Sequence, residues 1–410
     1  MDTNPARLDL TIQDVGFGGD GVGRTPEGQA VFVPFTMTGE RVRVRVEANQ
    51  GRFARAVLEE VLEPSPQRTA PACPHFGRCG GCAYQHLEYP AEVACKRAQL
   101  TELLGRLGGL EAVPELEAVV PSERDCGYRN KLRVEPIVSR DANDEQAVAY
   151  GYYERDNTTV FALDACPLAA TPLNHFLTRA PSTPEGRRNA GRDKPMPLTL
   201  RLTAEGSTGF YFGRAPKRVP WLHESLLGRP VSVPLGSFWQ VNPGVAEALV
   251  QRVSSWFAAA PTRTLIDAYS GVGTFSLAIG PAAHTRFLIE SDEQALQAAQ
   301  YNHAQWDGLE CRCRLGRTEA VLPRLLADAN RKRTTVLLDP PRQGCGEGVI
   351  RSLCEFAVGQ VLYVSCNPAT LARDLGRLVR DGGYVLRRLA LFDMFPRTAH
   401  FETAVLLDRA

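Results

Sequence analysis

The chain is predicted to be an α/β protein: a doubly wound parallel sheet at its carboxyl end, preceded by a small β-barrel and a mixed α+β middle segment. Three observations predict this. From about residue 245 the sequence alternates short apolar strands with amphipathic helices, the pattern of βαβ units. Residues 1–63 read instead as short strands separated by glycine turns. Residues 64–237 mix cysteine-rich loops with one helical stretch and further strands. The expected domains are therefore 1–63, 64–237 and 238–410.

In the first domain Leu8 to Ile12 alternates, Gly16, Gly18, Gly19, Gly21 and Gly23 punctuate a turn-rich stretch, and RVRVRV at 41–46 places arginines on one face. With AVFV at 30–33 and a strand over 53–62, this makes about five strands, suited to a closed barrel of the OB kind. The arginine face suits RNA contact, although a solvated face would look the same. PSPQRTAPA at 64–72 is a proline-rich linker. The middle domain should hold a helix over 91–107, strands over 131–136 and 148–153, and a surface loop over 181–197. The last domain should hold helices over 246–259, 275–279 and 292–303. Its strands are expected over 264–267, 286–290, 336–339, 361–365, 384–391 and 402–407.

Composition narrows the classes of function. With 47 Lys+Arg against 46 Asp+Glu, the chain is no bulk polyelectrolyte binder, and no segment departs far from balance. Of the basic residues 42 are Arg and 5 are Lys; Arg suits phosphate forks and base stacking, but a GC-rich genome produces the same bias. No apolar run approaches the ~18–20 residues of a membrane span. The amino terminus MDTNPARLDL shows neither a basic nor an apolar leader pattern, so a cytoplasmic protein is expected. The 11 cysteines then read as metal-binding or catalytic wherever they cluster.

DAYSGVGTF, 267–275, follows the first parallel strand and opens a helix, so Gly271 and Gly273 let the backbone approach a ligand at the strand's carboxyl end. The next strand ends in Glu290, placed to accept from ribose hydroxyls, and a third in Asp339-Pro340-Pro341-Arg342. Without the G-x-G-x-x-G form, an adenosyl group fits this constellation better than a dinucleotide. Cys366, in VSCNP, follows another apolar strand and precedes a helix whose amino end should favour thiolate. Cys311, Cys313, Cys345 and Cys354 carry no such context. Cys73, Cys79 and Cys82 in CPHFGRCGGC make a metal signal. The fourth ligand could be Cys95, Cys126 or Cys166, or His75 or His86 around zinc. Tyr128, Arg129 and Lys131 combine a stacking ring with phosphate donors, as RNA contact requires.

DAYSGVGTF, FLIESD, LLDPPRQG, YVSCNPATLARDL and DMFPRTAHFETAVLL, in that order and with an upstream SFWQVN, resemble the SAM-dependent RNA uracil-C5 methyltransferases. GFGGDGVGR, VFVPFTMTGERVRV and EPSPQR similarly resemble a TRAM domain, an RNA-binding OB-like module. The resemblance spans nearly the whole chain and implies a Rossmann-like methyltransferase domain behind a TRAM barrel and a central iron–sulfur domain. It implies Cys366 as nucleophile and Glu402 as general base. Gln240, Tyr269, Thr274, Glu290 and Asp339 fall on positions that bind S-adenosyl-L-methionine. Ser270 stands where many members have Cys, and the family has a further cofactor contact near Arg317-Thr318-Glu319 that is not assigned to a residue. For the cysteines it implies a [4Fe-4S] cluster on Cys73, Cys79, Cys82 and Cys166, zinc being the lesser alternative.

The chemistry explains the residue types. Thiolate addition at carbon 6 of uracil makes carbon 5 nucleophilic, and a base must later remove the carbon-5 proton. The target base must also leave its stack. The expected substrate is a uridine in RNA, 23S rRNA rather than the T-loop uridine of tRNA, and the expected form a monomer without membrane contact. Two rivals remain. An RNA cytosine-C5 methyltransferase would carry a second cysteine after proline, where this chain has Asp339-Pro340-Pro341-Arg342, and a non-catalytic RNA-binding factor would have lost Cys366 or Glu402.

Overall fold

The computed structural model describes residues 7–140, 146–216, 218, 220–306 and 311–409. Residues 1–6, part of the terminus read for a leader, lie outside them. No helix among the described residues is long and apolar enough to cross a membrane.

The amino-terminal strands form one six-stranded sheet in the order Arg7–Thr11, Arg41–Asn49, Phe53–Glu63, Ala30–Pro34, Asp20–Arg24 and Asp14–Val15. Its two outermost strands are consecutive in the chain, so the sheet coils back on itself. Period-2 alternation drives Val42 and Val44 into a core with Leu10, Ile12, Val31 and Val33. It turns Arg41, Arg43 and Arg45 outward, onto Glu63, Asp9 with Glu60, and Glu59. That arginine face is therefore laced with carboxylates.

The middle segment builds an antiparallel five-stranded sheet in the order Val160–Ala162, Gln146–Tyr153, Lys131–Arg140, Leu198–Leu202 and Thr208–Phe212. The stretch 181–197, expected as a loop, contains the helix Pro184–Ala190. Thr183 caps it, accepting from Gly186 N at 2.9 Å, with Pro184 at the first turn. This local start signal outweighs the breakers around it.

The carboxyl-terminal sheet has eight strands in the order Arg312–Leu315, Thr285–Glu290, Thr264–Asp267, Thr334–Leu338, Gln360–Ser365, Glu402–Arg409, Tyr384–Phe392 and Ala118–Val120. The first five are parallel, and Glu402–Arg409 runs antiparallel to both neighbours. A boundary at 237/238 does not mark the edge of this core. Ala118–Val120 extends the sheet, and the helix Tyr89–Arg106 places Leu100, Leu103 and Leu104 among Leu371, Leu375 and Leu378. Val231 and Val233, from a hairpin, join the other face. The apolar stripe at 100, 103 and 104 is what recruits the helix.

Beside that stripe Lys96 is wholly buried, its Nζ 2.7 Å from Glu92 Oε1 and 2.8 Å from Asp393 Oδ1. A charge so placed is tolerable only with both partners, since breaking such a cluster from one side costs about 3–5 kcal/mol.

Candidate active site

Five adjacent strands each deliver one acidic or nucleophilic residue to the same edge of the sheet. In spatial order these are Glu290, Asp267, Asp339, Cys366 and Glu402. The first four stand at or just beyond the carboxyl ends of parallel strands. Glu402 reaches that edge because it opens an antiparallel strand. The register pairs Ser365 with Thr403, which sets Cys366 opposite Glu402.

Glycines shape the loop after the first strand. Gly271 and Gly273 have φ of +52° and +91°, left-handed values that glycine adopts without strain, and a Cβ at Gly273 would meet His303 at 3.3 Å. Gly271 N donates to Glu290 Oε2 at 3.0 Å, and the other carboxylate oxygen of Glu290 accepts from Ser291 N and Asp292 N. Thr274 opens the following helix. Tyr269 and Glu290 line a cavity of about 190 Å³ with Arg317, Thr318, Glu319 and Pro341. Thr318 and Glu319, unassigned from the sequence, thus belong to this pocket. Gln240 is buried with Oε1 unpartnered, as is the hydroxyl of Ser270. Buried polar atoms left open this way suit an absent polar ligand. Asp267 was legible only as the first letter of the glycine-loop motif.

The electrostatics of the edge correct one expectation. Burial pushes Asp267 to about 7, and burial with the facing Asp267 does the same to Asp339. Glu402, with Oε2 unpartnered, is held well above the usual carboxylate range by burial and then by Asp339, with Arg342 opposing. Cys366 is pushed up to about 12, by burial first and then by Glu402 and Asp339. Burial and the two acidic neighbours thus oppose the thiolate that the adjacent helix end was expected to favour. Asn367 caps that helix by accepting from Ala369 N, but two acidic neighbours and burial outweigh the helix end.

Cys73, Cys79, Cys82 and Cys166 line one cavity of about 210 Å³ with His75, Gln85 and Arg129. Burial raises the thiols of Cys79, Cys82 and Cys166, and each of the three is also raised by at least one other cysteine of the set. Among the described residues no group of three or more His, Cys, Asp or Glu could hold a single metal ion. Cys95 and Cys126 are not in the cavity lining.

The expected RNA-contact triad divides. Tyr128 is 7% exposed and donates its hydroxyl to Pro396 O at 3.0 Å, so its ring is not a surface stacking platform. Arg129 points to the cysteine cavity, its Nε unpartnered. Lys131 is half-buried and lowered to about 8 by burial, Arg201 and Arg133. Tyr128 and Arg129 precede the strand Lys131–Arg140 and are turned inward by partners far along the chain, which the composition of YRNK alone does not reveal.

The fold and the ligand-shaped edge define a methyltransferase of mixed α/β architecture behind a TRAM domain, which is matched over residues 6–58. Residues 325–410 match the family described as tRNA (Uracil-5-)-methyltransferase. A 23S rRNA (uracil(1939)-C(5))-methyltransferase RlmD of Chromohalobacter salexigens is 32% identical, over 98% of this chain and 89% of that protein. An uncharacterized RNA methyltransferase of Nostoc sp. is 33% identical, over 98% and 96%. The crystal structure of Pyrococcus abyssi tRNA (uracil-54, C5)-methyltransferase in complex with S-adenosyl-L-homocysteine shares the fold, with TM-score 0.71, 24% identity and 98% and 99% coverage. The chain belongs to the SAM-dependent RNA uracil-C5 methyltransferases.

Proposed function

We propose that this enzyme methylates carbon 5 of a uridine in 23S rRNA through a covalent Cys366 adduct. The observation that carries the mechanism is the placing of Cys366 near Glu402, one residue beyond the Ser365–Thr403 pair at the carboxyl edge of the parallel sheet. Once its thiol proton has been lost to solvent, Cys366 adds as the thiolate to carbon 6 of the flipped uracil, which leaves an enolate nucleophilic at carbon 5. S-adenosyl-L-methionine, when bound, supplies the methyl group as a sulfonium. Glu402 then takes the carbon-5 proton, the double bond re-forms and the Cys366 thiolate leaves. Gln240, Tyr269, Thr274, Glu290 and Asp339 hold the donor, with Gly271 and Gly273 giving room for its approach. The preference for rRNA rests on the whole-length likeness to the RlmD protein. Mapping 5-methyluridine in total rRNA and tRNA with and without this protein tests it. Loss from rRNA is expected, and loss confined to tRNA would overturn the choice of substrate.

Acidic groups raised this far make donor binding pH-dependent. A sulfonium cation brought near Asp339 and Asp267 favours their charged forms, so binding releases protons. Affinity for S-adenosyl-L-methionine should then rise as pH increases through about 7, the position of both carboxyls, and level off above it. Calorimetry from pH 6 to pH 8 reads this directly, and an affinity independent of pH would contradict it.

Cys73, Cys79, Cys82 and Cys166 are proposed to hold a [4Fe-4S] cluster. The four thiols line one cavity together, and the choice of a cluster over a single zinc rests on the resemblance to the family. Arg129 would offset the cluster's negative charge. Protein purified without oxygen should carry about four irons per chain and absorb broadly near ~400 nm; a colourless protein with one zinc would reverse the assignment. Lys131 is proposed to contact RNA phosphate.

A further inference from the structure

We propose that Arg397 is a positioning residue for the proton-removal step, tying the cysteine-bearing loop to the loop that delivers Glu402. The proposal rests on the reading of Glu402 as the base.

Glu402 has Oε2 without a partner and opens its strand opposite Phe392, so the backbone that leads into it shares with that pairing in setting its place. That lead-in, residues 393–401, contains no helix or strand and is pinned from outside. Asp393 N donates to Val120 O at 2.8 Å. Buried Lys96 holds Asp393 Oδ1 and donates to Phe395 O at 3.3 Å. Tyr128 fixes Pro396 O. Arg397 then gathers more partners than any of these. Its N–H donates to Glu92 Oε1 at 2.7 Å, and its carbonyl accepts from Ala83 N at 2.9 Å and Tyr84 N at 3.1 Å. Its guanidinium donates to Leu87 O at 2.7 Å and to Asp125 through both Nε and Nη2.

Two features separate this hub from ordinary packing. Arg397 has φ +68°, a left-handed conformation that costs a side-chain-bearing residue energy and persists only where surroundings enforce it. Its partners also adjoin cysteines: Ala83 follows Cys82, and Asp125 precedes Cys126. A shift in the 82–84 backbone is therefore transmitted through the Arg397 carbonyl to a loop that reaches Glu402 five residues later. A base displaced by about 1 Å loses on the order of 10²-fold in rate. Cys366 lies on a different strand end and is reached by none of these bonds, so adduct formation should be spared.

The test is single-turnover methylation by Arg397→Lys and Asp125→Asn enzymes. They are given methyl-labelled S-adenosyl-L-methionine and the in vitro RNA transcript that the wild-type protein methylates. Lysine keeps the charge but cannot make the fork, and Asp125 is partly exposed, so its variant keeps the assay possible should Arg397→Lys fail to fold. The expected result is adduct formation within about twofold of wild type and adduct resolution slowed about 10–100-fold, seen as methylated RNA–protein adduct on a denaturing gel. Formation and resolution slowed together would mark general damage and overturn the proposal, as would wild-type resolution. Glu402→Gln run alongside separates the two readings. If it accumulates adduct and neither other variant does, the Arg397 proposal falls alone; if it resolves normally, the base assignment falls and carries this proposal with it.

Discussion

Cys366→Ala is expected to reduce methylation by about 10⁴-fold or more, as removal of a covalent nucleophile does when no other group can take its part. The size follows from the substrate: without addition at carbon 6, carbon 5 of uracil is too poor a nucleophile to attack a methylsulfonium. It follows also from the site, where the neighbours of Cys366 are Glu402 and Asp339, acids rather than alternative nucleophiles. The fold should survive, because Cys366 is half-buried and the cap on the next helix comes from Asn367. RNA containing 5-fluorouridine sharpens the reading, since fluorine at carbon 5 cannot be removed as a proton. The wild-type enzyme should trap as a methylated adduct on such RNA, and Cys366→Ala should give none. Turnover near the wild-type rate by Cys366→Ala would defeat the covalent mechanism.

Much of this site was legible because each component lies at a strand end, and strand ends leave local marks. Glycines mark the loop at 271–273, Asp-Pro-Pro-Arg marks the end of Thr334–Leu338, and Asn-Pro marks the turn after Cys366. What was not legible depends on which strands become neighbours. The thiol of Cys366 is raised by Glu402 and Asp339, and these come from strands separated in sequence but adjacent in the sheet. A local rule about helix ends predicts the opposite sign. Asp267 gained significance only once Asp339 stood beside it. Tyr128 has the composition of a stacking residue and the burial of a core residue, a distinction made by Pro396 far along the chain. The helix Tyr89–Arg106 could be recognised as a helix, but not as part of the catalytic core, because its partner face on Pro368–Arg380 lies beyond two other sheets in sequence. Local chemistry was readable; long-range juxtaposition was supplied by the fold.

Glu402→Gln should separate the two halves of the reaction. Glutamine matches the carboxyl in size and cannot accept the carbon-5 proton, so adduct formation and methyl transfer should proceed while resolution slows about 10²–10⁴-fold. The substitution also removes a group that raises the Cys366 thiol. Its loss should lower that thiol, so the pH profile of adduct formation should shift toward lower pH in the variant even as resolution stalls. The acid shift follows from loss of the charge alone, whereas a purely structural role for Glu402 would not produce the stalled methylated adduct. His400 is the nearby competitor for the base: its Nδ1 is unpartnered, and burial with Arg342, Lys96 and Arg129 lowers it to about 4. It is thereby neutral at pH 7 but weakly basic, a poorer acceptor than the ionised form of a carboxyl held well above its ordinary range in the same site. His400→Asn should therefore resolve its adduct far faster than Glu402→Gln. The reverse order would move the proton from Glu402 to His400.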